Sequence, residues 1–279
     1  MRSETIRLSN GLELPLIGFG TYKAGENDAQ VVLEAIHAGY RLIDTASVYG
    51  TERAVGTAAA ESGVARSDLL ITTKAWRTQL GYDAVLRAFE ESLKKLKTDY
   101  VDLYLLHWPA RDDETDRQSW KAMERLYEEG TVRAIGVSNY LPHHLENLFA
   151  VCNVSPMVDQ LEFHPGYPQW EAVSFAKEHG LCVEAWSPLG RRRISDHPLL
   201  LELAEKYGVS VQKICLSFAV QCGIIPLPKS STPERIRENL AADLELSGED
   251  VARILAMPQA GWSGEHPDVA PEKDVQVPD

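Results

Sequence analysis

Short apolar runs alternate along the chain with longer stretches in which apolar residues recur every three or four positions. The short runs predict buried strands, and the longer stretches predict amphipathic helices. Strands are expected at 16–20, 41–44, 69–74, 102–107, 133–139, 157–162, 181–187 and 223–229. Helices are expected near 28–38, 52–62, 82–97, 117–129, 141–150, 169–178, 210–221 and 233–241. This alternation predicts an α/β fold of the (β/α)8 TIM barrel class, in which right-handed crossovers join parallel strands.

The two ends of the chain depart from this alternation. Residues 5–15 carry an Asn10-Gly11 dipeptide between two short apolar runs, which predicts an N-terminal β-hairpin. From Met257 onward the chain is rich in Pro, Gly and charged residues, which predicts an irregular C-terminal loop. No linker or low-complexity stretch interrupts the 279 residues, so we expect a single domain, 1–279.

Composition and charge narrow the class of protein. The chain is 44% hydrophobic and 25% charged, as is usual for globular proteins, and its net charge of -13 disfavours nucleic acid or an anionic membrane as partner. No apolar run approaches the roughly 20 residues of a membrane span, and no signal peptide opens the sequence. The four cysteines lack metal-binding spacing. We therefore expect a cytoplasmic, monomeric protein with reduced thiols and no metal.

Several predicted strands end on polar side chains. Asp44, Lys74 and His107 close the second, third and fourth strands, and Tyr49 follows Asp44 by five residues. Each residue alone could be a cap, an exposed strand end, a core histidine or a surface ring. In a barrel, however, all strand ends meet at the face where enzymes place their chemistry, and burying these groups unpaired would cost several kcal/mol. We expect Asp44 to pair with Lys74, and the ammonium to lower the pKa of Tyr49 so that it acts as a general acid.

Eight motifs occur in order along nearly the whole chain: GFGTYK, LIDTASVYG, ITTKAW, LYLLHWP, IGVSNY, VDQLEFHP, EAWSPLG and PKSSTPERIREN. They resemble the motifs of the aldo-keto reductases, and most closely the bacterial 2,5-diketo-D-gluconate reductase type. The resemblance implies a catalytic tetrad of Asp44, Tyr49, Lys74 and His107. It also implies that NADPH gives a hydride to the carbonyl carbon of an aldehyde or ketone while Tyr49 protonates the oxygen. Keto-sugars and α-keto esters are among the substrates that this implies.

The resemblance further assigns the residues that contact NADPH, which lie at strand ends and in the turn and helix after the last strand. They are Gly20, Thr21, Tyr22, Asp44, Ser138, Asn139, Gln160, Trp186, Ser187, Leu189, Lys229, Ser230, Ser231, Arg235, Glu238 and Asn239. Lys229, Ser230 and Arg235 would bind the 2'-phosphate near a helix N-terminus, which gives an acidic protein a local anion site. Tyr22, Trp76, His107 and Trp108 would line the substrate pocket, although Trp76 and Trp108 could instead be packing residues.

Three features differ from the family pattern. Trp186 stands where Tyr is frequent, and Asp159 stands where Asn is common. Three arginines at 191–193 replace small residues, and they could contact the cofactor pyrophosphate or be solvated.

Other functions and folds fit the chain less well. Gly18-Phe19-Gly20 begins like a dinucleotide-binding fingerprint, but Lys23 occupies the position of its third glycine. A non-catalytic NADPH sensor on the same scaffold is an alternative that the complete tetrad disfavours. An isomerase or aldolase with Lys74 as Schiff-base amine is weaker, because an ammonium paired with a carboxylate stays protonated.

Overall fold

The computed structural model describes residues 5–23, 28–269 and 275–278. Strands β1 (Thr5–Arg7) and β2 (Glu13–Pro15) pair antiparallel, which confirms the predicted hairpin. Gly11 has a φ of 89°, in the left-handed region that glycine adopts readily at such a turn.

Eight parallel strands form one curled sheet. They are β3 (Phe19–Gly20), β4 (Leu42–Asp44), β5 (Leu70–Ala75), β6 (Val101–Leu106), β7 (Val132–Ser138), β8 (Val158–Glu162), β9 (Cys182–Trp186) and β10 (Ile225–Pro226). The strands lie side by side in sequence order from β3 to β10. This order, with helices between the strands, confirms the predicted α/β class.

Backbone hydrogen bonds connect the first and last strands of the sheet. The N–H groups of Gly18 and Gly20 donate to the carbonyl oxygens of Pro226 and Pro228, at 3.1 Å each. A Cβ atom at Gly20 would lie only 2.9 Å from the carbonyl oxygen of Leu227. Glycine at this position therefore lets the two ends of the curled sheet approach each other.

Ten α-helices occur in the described part of the chain. They are α1 (Asp28–Ala38), α2 (Glu52–Glu61), α3 (Tyr82–Leu96), α4 (Asp113–Glu128), α5 (Pro142–Phe149), α6 (Trp170–Glu178), α7 (Pro198–Tyr207), α8 (Val211–Gln221), α9 (Pro233–Leu240) and α10 (Gly248–Leu255). The eight expected helices are all present, and α4 begins four residues early because Asp112 caps it through the N–H of Thr115. Helices α7 and α10 were not predicted.

The core is built from strand residues and the helix faces that pack on them. All six residues of β6 are buried, as expected for a parallel strand covered on both faces. Beyond α10, residues 257–269 contain no helix or strand, in agreement with the expected loop. The four cysteines are free thiols. Within the described ranges no helix has the length and apolarity to cross a membrane.

Candidate active site

Asp44 and Lys74 form a buried ion pair at the carboxyl ends of β4 and β5. The Lys74 Nζ atom lies 2.7 Å from the Asp44 carboxylate and also donates to the carbonyl of Thr45 at 3.0 Å. Lys74 is 0% exposed and Asp44 is 4% exposed. An ammonium this deep in the protein needs such partners, because an unpaired buried charge would cost several kcal/mol. The predicted pairing is therefore confirmed.

Gln160 extends this ion pair to a second carboxyl group. Its Nε2 atom donates to Oδ1 of Asp44 at 2.9 Å and to Oε2 of Glu184 at 2.8 Å. Glu184 lies in β9 and is 0% exposed. Burial raises the pKa of Glu184, and the negative charge of Asp44 raises it further, to about 7. Sequence reasoning missed Glu184, although an acidic residue within the apolar run LCVEAW is a signal that could have found it.

Tyr49 and His107 face each other above the ion pair. Tyr49 ends a short 3-10 turn after β4, and its hydroxyl lies 3.4 Å from Nε2 of His107. The ring of Trp76 packs edge-on at 4.9 Å from His107, and Tyr22 lies 5.0 Å from Tyr49. Burial lowers the pKa of His107 well below its usual value, and the cation of Lys74 lowers it further. The imidazole is therefore neutral at physiological pH.

The pKa of Tyr49 shifts in the direction opposite to the one expected. Burial raises the pKa of the Tyr49 phenol well above its usual value, and the negative charge of Asp44 adds to this. The Lys74 ammonium does not reverse this shift, because it bonds to Asp44 and to the carbonyl of Thr45 and lies 5.0 Å from the Tyr49 ring centre. Tyr49 therefore keeps its proton at neutral pH, which is the form that can donate.

Three predicted cofactor residues lie beside the tetrad. The side-chain amide of Asn139 donates to the carbonyl of His107 at 3.0 Å, and its oxygen accepts from the indole N–H of Trp186 at 2.8 Å. The hydroxyl of Ser138 donates to the carbonyl of Gln160 at 2.8 Å. Asn139 has a φ of 64°, a left-handed conformation that costs a non-glycine residue roughly 1–3 kcal/mol and is typical of functional sites.

The side chains of Arg191 and Arg193 contact protein groups near Trp186. Arg191 donates to the hydroxyl of Ser187 at 3.2 Å, and its guanidinium lies 5.4 Å from the centre of the Trp186 ring. It also lies 3.9 Å from Glu265 in the C-terminal loop. Arg193 donates to a backbone carbonyl of the same loop. Of the two readings, simple solvation does not describe Arg191 and Arg193.

The remaining predicted cofactor residues include a basic group around the start of α9. Lys229 is half-buried, and burial lowers its pKa, while Arg235 is exposed in the first turn of the helix. The N–H of Thr232 donates to the hydroxyl of Ser230 at 3.1 Å. Thr21 is buried against Asp44, Leu189 is half-buried, Ser231 and Glu238 are exposed, and Asn239 is buried. Two cations beside a helix N-terminus, and amides beside an aromatic ring at the tetrad, fit the two ends of a phosphorylated dinucleotide.

The substrate-pocket residues divide into two groups. Tyr22 is 45% exposed, and with partly buried Trp76 it flanks Tyr49 and His107. Trp108 is buried, and the guanidinium of Arg77 lies 4.2 Å from its ring. The packing interpretation thus suits Trp108 better than Trp76.

Among the residues that the structure describes, one cluster of possible metal ligands lies outside the tetrad, where His143 and His144 of α5 both lie close to Asp268. Nδ1 of His144 accepts the N–H of Leu141, and burial lowers the pKa of this imidazole to about 4. The neutral ring then carries its hydrogen on Nε2, which lies 3.1 Å from the Asp268 carboxylate. A metal ion would need a free lone pair on Nε2 of His144, and the hydrogen occupies that position. The arrangement therefore suits the hydrogen bond between His143 and Asp268 rather than a metal site.

Comparison with known proteins agrees with the arrangement of the strand ends. Residues 16–257 match the model of the aldo/keto reductase family. Glyoxal reductase from Bacillus subtilis (strain 168) is 44% identical over 95% of this chain and 96% of its own. Methylglyoxal reductase DkgA from Salmonella typhimurium is 39% identical over 94% and 96%. The crystal structure of a Bombyx mori aldo-keto reductase in complex with NADP superposes with a TM-score of 0.84, at 36% identity, over 91% of this chain and 92% of that one.

The match to the family model spans most of the chain and includes β4 with Asp44, β5 with Lys74, and His107 directly after β6. The relatives are similar over nearly their full lengths, and the superposed neighbour holds the cofactor in its crystal. The chain belongs to the aldo/keto reductase family and is an NADP(H)-dependent oxidoreductase.

Proposed function

We propose that the protein reduces small aldehydes and ketones to alcohols, with NADPH as hydride donor and Tyr49 as proton donor. The observation that carries the proposal is the contact of 3.4 Å between the Tyr49 hydroxyl and His107, above the buried pair of Asp44 and Lys74. A protonated phenol and a neutral imidazole that meet at one point can both direct a hydrogen at a carbonyl oxygen.

Each residue of the tetrad has a separate task in this proposal. Bound NADPH supplies the hydride to the carbonyl carbon. Tyr49 transfers its proton to the oxygen and regains one from solvent, while His107 holds the oxygen through a hydrogen bond from Nε2. Lys74 limits the cost of the phenolate that forms, and Asp44 keeps Lys74 charged and in place.

The remaining cofactor assignments extend the proposed site across the carboxyl ends of the strands. Ser138, Asn139 and Gln160 would bind the carboxamide of the cofactor, with Trp186 against the nicotinamide ring.

We also propose that the curled sheet is a complete (β/α)8 barrel in one domain, which the hydrogen bonds between β3 and the segment around β10 support. A monomeric state and a cytoplasmic location stay predictions.

We propose vicinal dicarbonyl compounds as the preferred substrates, because two relatives are named as glyoxal and methylglyoxal reductases. Diketo-sugars and α-keto esters are the competing classes. Consumption of NADPH should be followed spectrophotometrically with one panel of glyoxal, methylglyoxal, an α-keto ester and a diketo-sugar. Turnover of none of them would contradict the proposed function, whereas a clear preference for the diketo-sugar would contradict only the substrate class.

A binding experiment tests the assignment of Trp186. If the nicotinamide lies against this ring, adding NADPH should quench tryptophan emission, and Trp186→Ala should remove most of the quenching. Trp170→Ala is the matched control, because Trp170 is 45% exposed on α6 and contacts Lys177 instead. Equal quenching in the wild type and in Trp186→Ala would place the stacking partner elsewhere.

A further inference from the structure

Glu184 is a second buried carboxyl group in the hydrogen-bond network of the tetrad. It lies opposite Gln160 in the register between β8 and β9. The side-chain NH2 group of Gln160 donates to both Asp44 and Glu184, so that one amide group bridges the two carboxyl groups. The other oxygen of Glu184 is buried and has no hydrogen-bond partner among the residues that the structure describes. The site therefore contains a carboxyl group that the tetrad does not account for.

The charges around Glu184 do not balance when it is ionised. Lys74 is the cation nearest in the network, and it is bonded to Asp44 rather than to Glu184. The residue of β10 that lies in register with Glu184 is the apolar Ile225. Cys182, two residues before Glu184 in β9, is a thiol whose pKa is raised by burial, so it carries no charge either. An ionised Glu184 would thus be a buried anion without a cation of its own, and its charge changes near neutral pH.

We propose that Glu184 is a proton-linked counter-charge that favours the oxidised cofactor over the reduced one. The inference rests on the proposed function, which puts the nicotinamide next to Gln160. The nicotinamide ring is positively charged when oxidised and neutral when reduced, so a nearby carboxylate stabilises only the oxidised form. The protonated acid makes no such distinction. Binding of NADP⁺ therefore releases a proton and becomes tighter as the pH rises through about 7.

The measurement is the ratio of the dissociation constants of NADP⁺ and NADPH, determined by calorimetry between about pH 6 and about pH 8.5, on either side of the Glu184 pKa. The ratio cancels the titration of the 2'-phosphate, which both cofactors carry and which occurs near pH 6. We expect the ratio to fall about tenfold over this range, equivalent to about 1.4 kcal/mol. In Glu184→Gln, which keeps the size and an acceptor oxygen but cannot ionise, the ratio should not change with pH.

The control variant is Asp159→Asn. Asp159 is also buried and directly precedes Gln160, but successive strand residues point to opposite faces, so this carboxyl group lies outside the network. Asp159→Asn should keep the pH dependence of the wild type. A flat ratio in the wild type, or the same slope in Glu184→Gln, would overturn the inference.

A measurement on the wild type alone guards against failure of Glu184→Gln to fold. Titration with NADP⁺ near pH 7, in two buffers of different ionisation enthalpy, should report proton release, and NADPH should cause less release. Equal release with both cofactors overturns the role of Glu184. If the wild type reduces dicarbonyl compounds normally in that case, the proposed function stands; if no carbonyl compound is reduced, the proposed function itself fails.

Discussion

Tyr49→Phe should reduce the turnover of carbonyl reduction by about 10²- to 10⁴-fold, the range typical of general acid catalysis. The substitution removes the hydroxyl that lies 3.4 Å from His107 and keeps the ring that packs against Tyr22. The affinity for NADPH should change little, because the ring fills the same volume. Steady-state kinetics and a separate binding titration test the two expectations.

Tyr100→Phe is the matched control for this substitution. It also removes a phenol hydrogen bond of 3.4 Å, to the carbonyl of Arg66, but Tyr100 directly precedes β6, at the opposite end of the strand from His107. Its turnover should stay close to that of the wild type. A Tyr49→Phe enzyme with full activity would exclude Tyr49 as the proton donor.

The wild type should prefer NADPH to NADH by roughly 10²-fold or more. A 2'-phosphate carries nearly two negative charges, and each charge-assisted hydrogen bond contributes about 1.5 to 3 kcal/mol, at about 1.4 kcal/mol per tenfold. Lys229 and Arg235 would provide two such bonds, reduced by the solvent exposure of Arg235. Replacing both with neutral residues should raise the dissociation constant of NADPH sharply and leave that of NADH within a few-fold.

Arg237→Gln provides the control for cofactor preference. Arg237 is exposed on the same helix and lies 3.7 Å from Glu234. Arg237→Gln removes one positive charge, as does each of the two substitutions in the double variant. It should leave the preference intact, and high salt should weaken the preference of the wild type. If the double variant binds both cofactors more weakly to the same extent, the 2'-phosphate does not bind at Lys229 and Arg235.

The succession of strands and helices could be predicted because hydrophobic periodicity is a local property of the chain. The last strand is the least accurate case, since 223–229 was expected and only Ile225–Pro226 pairs with β9. Pro226 and Pro228 lack N–H groups and cannot extend the ladder as donors, but their carbonyls accept from Gly18 and Gly20.

Two helices were missed although short signals for them exist. Helix α7 begins with Pro198 in its first turn, and Ser247 caps α10 through the N–H of Asp250. Both helices fall outside the alternation of one helix per strand, because α7 shares the interval between β9 and β10 with α8, and α10 follows the last pair of strand and helix. Pro198 and the Ser247 cap are the local signals that could have found them.

The sequence by itself determined which residues stand at the strand ends, because a run of apolar residues and the polar residue that closes it are neighbours in the chain. Only the tertiary structure decided their electrostatics. Gln160 and Asp44 are 116 residues apart, yet they share a hydrogen bond, and Glu184 joins them. Tyr49 holds its proton rather than losing it more easily, because burial and the negative charge of Asp44 raise its pKa. A pKa depends on burial and on charges brought close through space, and neither is encoded in the spacing of residues along the chain.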